Sequence, residues 1–157
     1  MSHNLHGGID KMREIFTRYM TEKGLRKTME RYTILECVCR IGGHFDVEML
    51  RSRLEDDNFH VSRSSVYNTL ELLLNANLIV RHQFSAQQVE YELKNAAATH
   101  HHVICDYCGR IGEVKNDKVK INADYRIPRF TQEYHILYIY GMCSKCKFRL
   151  MKASKKK

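Results

Sequence analysis

Two cysteine pairs of equal spacing limit the possible folds of this chain more than any other sequence feature. Cys105 and Cys108 form one C-x-x-C pair, and Cys143 and Cys146 form the other. In a cytosolic chain, two such pairs indicate a four-thiolate zinc site more strongly than they indicate disulfides or a redox motif. Each pair can span one edge of a tetrahedron, so a single ion would join two strand ends. The cysteines therefore predict a structural Zn(II) site.

Composition and motif content exclude several other classes of protein. Apolar residues make up 43% and charged residues 28% of the 157 residues, near globular averages. No apolar run approaches the roughly 20 residues that span a bilayer, and the first residues lack the apolar core of a secretory signal. No H-E-x-x-H motif and no nucleophile with a base at motif spacing occurs. We therefore expect a cytoplasmic protein of one or two domains that is not an enzyme and has no membrane as a partner.

The first half of the chain has the pattern of a winged helix-turn-helix. Apolar residues recur at helical spacing in four segments, with Asp46 suited to cap the third helix and Ser62 or Ser64 the fourth. The apolar run 78–80 and the alternating segment 89–93 then predict a two-stranded hairpin. We therefore predict a winged-helix DNA-binding domain over residues 1–94, with an extra N-terminal helix.

In this plan the fourth helix is the one that reads DNA. The hydroxyls at its N-terminal end suit phosphate oxygens, and the longer side chains that follow can reach base edges. Basic residues before the second helix can hold the DNA backbone or enter a minor groove. The predicted DNA-binding residues are Arg26, Lys27, Arg31, Ser62, Arg63, Ser64, Ser65, Tyr67 and Asn68. The alternative is a zinc-ribbon scaffold whose winged helix only docks another protein.

The second half indicates a separate αβ module. Residues 95–99 are mostly small and predict a hinge, which leaves 100–157 as a dimerisation and metal-binding domain with a basic tail. The segment 134–140 predicts a strong strand whose tyrosines would suit pairing with a second subunit. Residues 1–94 have no net charge and the rest of the chain carries +8. This asymmetry is compatible with a nucleic-acid partner, although it does not identify the binding surface.

Three consecutive histidines precede the first cysteine pair. In a strand alternate side chains share a face, so His100 and His102 would point one way and His101 the other. An H-x-H pair on one strand is a good start for a metal site, because two imidazoles arrive already aligned. Glu113 follows on the strand that returns from the cysteine knuckle.

Four segments carry a resemblance to a known family: GLRKTMERYTILE, SSVYNTLELLLNANLI, HHHVICDYCGRIGEV and YHILYIYGMCSKC. Over about residues 12–147 the chain resembles the ferric uptake regulator (Fur) superfamily of bacterial metal-dependent transcription factors. The resemblance implies an α+β fold, with an N-terminal winged helix-turn-helix and a C-terminal αβ dimerisation domain. It also implies that the four cysteines hold structural zinc.

The resemblance further implies a sensing site with ligands from both domains and the hinge. Its ligands match His44, Glu92, His100, His102 and Glu113. A further site of some members is matched at His101 and His135 but departs at Thr99 and near Lys120. The reading helix also departs from the family, with Asn68 where a basic residue often stands, and Glu30 replaces a common proline.

These ligands agree with the chemistry of a divalent cation. Three neutral imidazoles and two carboxylates carry a charge of −2 and form an N/O set that suits Fe(II) or Mn(II) better than Zn(II). We therefore expect a homodimeric repressor that binds double-stranded operator DNA when loaded with Fe(II). The alternative is that this chain is a peroxide-, zinc-, manganese- or haem-sensing member of the same family. Peroxide sensors often have Asp where Glu92 and Glu113 stand, which favours iron homeostasis here.

Overall fold

A computed structural model describes residues 3–119 and 127–154 of the chain. The chain divides into two compact units, Met1–Ala96 and Ala97–Lys157. The first unit contains a two-stranded sheet and the second a three-stranded sheet, so the α+β fold class is confirmed. In the described part of the chain, no helix has both the length and the apolar character needed to cross a bilayer.

The first unit is a winged helix-turn-helix preceded by an additional helix. Its hairpin strands, β1 (Ile79–Gln83) and β2 (Val89–Leu93), pair antiparallel, with Ile79 opposite Leu93 and Gln83 opposite Val89. The elements in chain order are α1 (His3–Glu22), α2 (Met29–Ile41), α3 (Val47–Asp56), α4 (Arg63–Asn75), β1 (Ile79–Gln83) and β2 (Val89–Leu93).

Short polar side chains fix where the helices of this unit begin. Asp46 accepts a hydrogen bond from the backbone N–H of Met49 (2.7 Å) and caps α3. Ser62, rather than Ser64, accepts from the backbone N–H of Ser65 (3.0 Å) and caps α4. Each cap satisfies a backbone donor that the first helical turn would otherwise leave without a partner. The exposed start of the predicted reading helix is therefore set by local sequence.

The additional helix α1 completes the hydrophobic core of the first unit. Met12, Phe16 and Met20 recur at intervals of four residues and so lie on one face of α1. This face packs into the same cluster of buried side chains as α2, α3 and α4, and the Phe16 ring meets Tyr32 edge-on at 6.2 Å. The helix therefore braces the winged helix from inside the core.

We expect Phe16→Ala to lower the free energy of unfolding by about 3–5 kcal/mol, because it removes a fully buried ring and leaves a cavity. Chemical denaturation followed by circular dichroism measures this change. Arg18→Ala, at an exposed position of the same helix, is the matched control and should change stability by less than about 0.5 kcal/mol. Equal stability of the two variants would contradict a bracing role for α1.

The second unit is built around a mixed sheet. Strand β3 (His100–Cys105) lies in the centre, antiparallel to β4 (Ile111–Lys115) and parallel to β5 (Tyr138–Gly141). A short helix, α5 (Lys94–Ala97), precedes β3, and a 3-10 turn (Asn116–Lys118) follows β4. The remaining elements of this unit are β3 (His100–Cys105), β4 (Ile111–Lys115), β5 (Tyr138–Gly141) and α6 (Ser144–Ser154).

Strand β5 is shorter than the strand predicted over residues 134–140. It begins at Tyr138, which lies opposite His102. Continued in the same register, Tyr134 and His135 would lie beside Ala98 and Thr99, which precede β3. The apolar alternation thus extends beyond the residues at which β3 and β5 pair as regular strands.

Candidate functional site

The four cysteines of the two C-x-x-C pairs meet at one end of the sheet of the second unit. Cys105 ends β3 and Cys146 lies in the first turn of α6. Because β3 and β5 run parallel and Cys105 lies opposite Gly141, the chain leaving β5 brings Cys143 back beside Cys105. The Sγ atoms of Cys105, Cys108, Cys143 and Cys146 all lie within 4.8 Å of one another.

The geometry of this four-cysteine cluster fits a tetrahedral ion. With Zn–S bonds of about 2.3 Å, the sulfur atoms of a regular ZnS4 site stand about 3.8 Å apart. The Sγ atoms of Cys108 and Cys143 are 3.8 Å apart. The backbone N–H of Cys143 also donates to the Sγ of Cys105 at 3.3 Å, an interaction that stabilises a thiolate.

The pKa values of the cysteine thiols in this cluster differ widely. The hydrogen bond from the backbone of Cys143 lowers the pKa of Cys105 to about 6. Burial, together with the neighbouring thiols, raises the pKa of Cys146 to about 12. Closely packed thiols resist losing all their protons, since the resulting thiolates repel one another. A divalent cation offsets that repulsion, so this cluster is suited to a metal ion.

In the first unit, long-range backbone pairing brings two predicted sensing ligands together. Phe45 and Tyr91 exchange two backbone hydrogen bonds (2.9 and 2.7 Å) in an antiparallel bridge. That bridge places His44 beside Glu92, with His44 Nε2 3.4 Å from Glu92 Oε1. The other ring nitrogen, His44 Nδ1, lies 3.3 Å from Glu90 Oε2. Glu90 therefore lies where it can accept a hydrogen bond from Nδ1, which leaves Nε2 on the side of Glu92.

A third side chain joins this group and was missed by the sequence analysis. His82 lies on β1 opposite Glu90, so both point to the face of the hairpin that carries Glu92. His82 Nε2 is 2.7 Å from Glu92 Oε1, and its ring stacks on His44 with centroids 5.2 Å apart. The alternation of side chains along β1 was a usable signal for the face on which His82 lies. The pairing register with β2 was needed to place His82 beside Glu92. We call His44, His82 and Glu92 the N-terminal donor group.

In the second unit, three further predicted sensing ligands share one face of the sheet. His100 and His102 lie two residues apart on β3, with ring centroids 4.8 Å apart. Glu113 on β4 lies directly opposite His102 in the antiparallel register. Cross-strand neighbours on one face are separated by about 5 Å at Cβ, within reach of a shared ion. We call these three residues the C-terminal donor group.

The opposite face of β3 carries the residues of the possible additional site. The ring centroids of His101 and His135 are 5.5 Å apart. Burial and the neighbouring His135 lower the pKa of His101, which favours the neutral imidazole that metals bind. Thr99 lacks an imidazole, and Lys120 lies outside the described residues. The described part of the chain thus supplies two histidines for this site.

Comparison with known proteins identifies the family. The profile of the Ferric uptake regulator family matches residues 22–140. The chain belongs to this family. Fur-family members are regulators, so the chain is a metal-responsive regulator of that type. The four-cysteine cluster is consistent with a zinc site of this Fur-family chain.

Individual relatives agree with this assignment. The Ferric uptake regulation protein of Synechococcus elongatus is 32% identical over 139 residues, which cover 84% of this chain and 92% of that protein. The ferric uptake regulator of Pseudomonas aeruginosa, solved with manganese, has a TM-score of 0.67 at 24% identity, covering 82% and 97% of the two chains. The Vibrio cholerae regulator has a TM-score of 0.56 at 25% identity, covering 80% and 98%. These likenesses confirm the fold.

The predicted reading helix of this Fur-family chain presents a polar surface. Val66, Leu70 and Leu73 bury the inner face of α4 in the core. The outer face exposes Ser62, Arg63, Ser64, Tyr67 and Asn68, while Ser65 is partly buried. The Arg63 guanidinium lies over the Tyr67 ring (5.7 Å) and 3.2 Å from a carboxylate oxygen of Glu48. These contacts hold the Arg63 side chain extended at the start of the helix. Its ion pair with Glu48 is exposed, so another anionic partner can replace Glu48.

The three basic residues before and at the start of α2 are placed differently from one another. Arg26 and Lys27 are exposed, whereas Arg31 is partly buried. The Arg31 guanidinium donates to the backbone carbonyl of Arg26 at 2.5 Å. Arg31 thus holds the loop that presents Arg26 and Lys27.

Proposed function

We propose that this chain is a homodimeric, metal-dependent repressor that binds operator DNA and responds to Fe(II). The observation that carries the proposal is the clustering of N/O donors within each unit. His44 and Glu92 lie together in the first unit, and His100, His102 and Glu113 share one sheet face in the second. These are the positions that the family resemblance assigns to the sensing ligands.

The donor chemistry supports two ions of different kinds. Four thiolates in a compact cluster suit a structural Zn(II) ion. The five sensing ligands comprise three imidazoles and two carboxylates, whose charge of −2 a divalent cation cancels. Such a mixed N/O set favours the five or six ligands of Fe(II) or Mn(II) over tetrahedral Zn(II). We therefore propose Fe(II) as the regulatory ion and Mn(II) as its closest substitute.

A ligand set divided between two units couples metal binding to their arrangement. When bound, the regulatory ion supplies a positive charge that all five ligands share. Those ligands can converge on it in one arrangement of the units better than in others, which shifts the population towards that arrangement. In a dimer, that arrangement sets the separation of the two reading helices, which must match about one helical turn of DNA or a multiple. DNA affinity then rises with metal by linkage.

The surface of each unit supports the proposed partners. The N-terminal end of α4 exposes hydroxyls and Arg63, which suit phosphate and base contacts. In the described part of the second unit, β5 lies at the edge of the sheet. Apolar side chains of Tyr140, Phe148 and Met151 are more than half exposed in this unit. An open strand edge with exposed apolar side chains suits a second copy of the chain.

An anaerobic DNA-capture experiment tests this function. Genomic fragments from the source organism are incubated with the zinc-loaded protein in Fe(II), Mn(II), Zn(II) or chelator, and the retained DNA is sequenced. We expect specific fragments to be retained with Fe(II), and with Mn(II) as its substitute, because their coordination preferences match the donors. Retention with Zn(II) alone would reassign the metal. Absence of specific retention under every condition would contradict DNA regulation and favour the protein-docking scaffold.

A variant of the reading helix separates specific DNA binding from general attraction to a basic protein. Within the same experiment, Arg63→Ala removes an exposed guanidinium from the start of α4 and should weaken binding to the captured operator. Arg53→Ala removes the same charge from an exposed position of α3 and is the matched control. Equal weakening in both variants would indicate nonspecific electrostatics rather than a reading helix.

A further inference from the structure

The N-terminal donor group contains three candidate ligands, whereas the sensing site proposed above takes only two from this unit, His44 and Glu92. The Nε2 atoms of His44 and His82 both converge on Glu92 Oε1, at 3.4 Å and 2.7 Å. The rings stack on each other and on Phe84, which limits their rotation. Two imidazole nitrogens and one carboxylate oxygen therefore face a common point from three separate segments of chain.

These distances match the spacing of ligands around a divalent ion. With metal–ligand bonds of about 2.1 Å, neighbouring donors stand about 3.0 Å apart in an octahedral site and about 3.4 Å apart in a tetrahedral one. The separation of 3.4 Å between His44 and Glu92 equals the tetrahedral value, and that of 2.7 Å between His82 and Glu92 is shorter than the octahedral value. Ligand atoms of all three residues lie within 4.8 Å of one another, so small shifts of the side chains would let all three contact one ion.

Neighbouring side chains orient the members of this group. Glu90 Oε2 lies beside His44 Nδ1, the pattern by which a carboxylate orients a metal-binding imidazole. Gln88 in turn donates to Glu90 Oε1 at 2.9 Å and fixes that carboxylate. The side chains of His82 and Glu92 are almost entirely buried. A carboxylate buried beside two imidazoles is stable when a charge is shared among them, which a divalent ion achieves.

We propose that His82 is a further ligand of the regulatory metal, completing an octahedral N/O set. This inference rests on the proposed function, because it adds one imidazole to the five ligands proposed above. The resulting set of four imidazoles and two carboxylates has six donors, the number that Fe(II) and Mn(II) accept and structural Zn(II) does not. His82 would thereby bias the site against zinc.

Metal titration with pulsed electron paramagnetic resonance tests this proposal without DNA. The full-length, zinc-loaded protein is titrated with Mn(II), and the coordinated imidazole nitrogens are counted. We expect His82→Ala to lower Mn(II) affinity by at least about tenfold and to reduce the imidazole count by one. His60→Ala, which removes an exposed histidine of the same unit, is the matched control and should change neither. The zinc content should stay constant in both.

A second substitution separates a ligand from a positioning residue. The His82→Gln variant keeps an N–H group that can donate a hydrogen bond to Glu92, and the size of glutamine preserves the packing. It lacks the imidazole nitrogen. A count reduced by one in the Gln variant supports His82 as a ligand. An imidazole count unchanged from the wild type would overturn the proposal at any affinity, because loss of a residue that only orients Glu92 also weakens metal binding. A wild-type protein that binds no Mn(II) beyond its zinc would instead overturn the proposed function and, with it, this inference.

Discussion

Cys105→Ser should remove the structural zinc and unfold the second unit. Loss of one ligand leaves three thiolates, which hold zinc less tightly and repel one another when the ion is absent. In the described part of the second unit, the buried apolar side chains are few: Ala97, Ile104, Cys105 and Cys146. A unit with so small a core depends on additional stabilisation, such as a structural metal ion. Structural zinc contributes on the order of 10 kcal/mol in small zinc domains, comparable to the stability of an entire domain.

Elemental analysis and thermal unfolding together measure this effect. The variant should contain no stoichiometric zinc, should lose the dimer, and should retain one cooperative transition from the first unit, whose core is separate. Cys37→Ser is the matched control, because Cys37 is a buried thiol in α2 of the first unit. It should cost some stability but leave the zinc content unchanged. A stable, zinc-free dimer of Cys105→Ser would refute a structural role for the ion.

Features governed by neighbouring residues were predictable from the sequence. Asp46 and Ser62 cap helices because each acts on a backbone N–H three residues away. The C-x-x-C spacing indicated a cluster, since each pair fixes two ligands within one turn. The structure then brings the two pairs together through the parallel pairing of β3 with β5. The local chemistry was therefore predictable from the sequence, whereas the four-cysteine cluster is assembled by long-range strand pairing.

Features that depend on register could not be predicted in the same way. His82 joins Glu92 because the pairing of β1 with β2 sets which side chains share a face of the hairpin. A shift of one residue would turn His82 to the other face. His44 reaches Glu92 through the bridge between Phe45 and Tyr91, which the sequence does not mark. Family resemblance supplied the pairing of His44 with Glu92, but it did not point to His82.

Among the proposed sensing ligands, His102 is the position where substitution should have the largest effect on regulation. It lies in the central strand β3, its ring beside that of His100 and its backbone opposite Glu113. His102→Ala removes one of the three members of the C-terminal donor group, and alanine offers no ligand atom in its place. The four-cysteine cluster at the end of the sheet keeps all its ligands. The variant should therefore remain a folded, zinc-containing dimer.

Anaerobic operator binding measures the loss of response in His102→Ala. The wild-type protein should bind its operator about 5–150-fold more tightly with Fe(II) than with chelator, the usual range of allosteric coupling. The variant should bind equally weakly in both conditions, because a ligand set without His102 no longer favours one arrangement of the units. His101→Ala removes the neighbouring imidazole from the opposite face of β3 and should retain most of the response. Equal losses in both variants would assign the effect to the strand itself or to the additional site at His101 and His135, and an unchanged metal response in His102→Ala would refute its role as a sensing ligand.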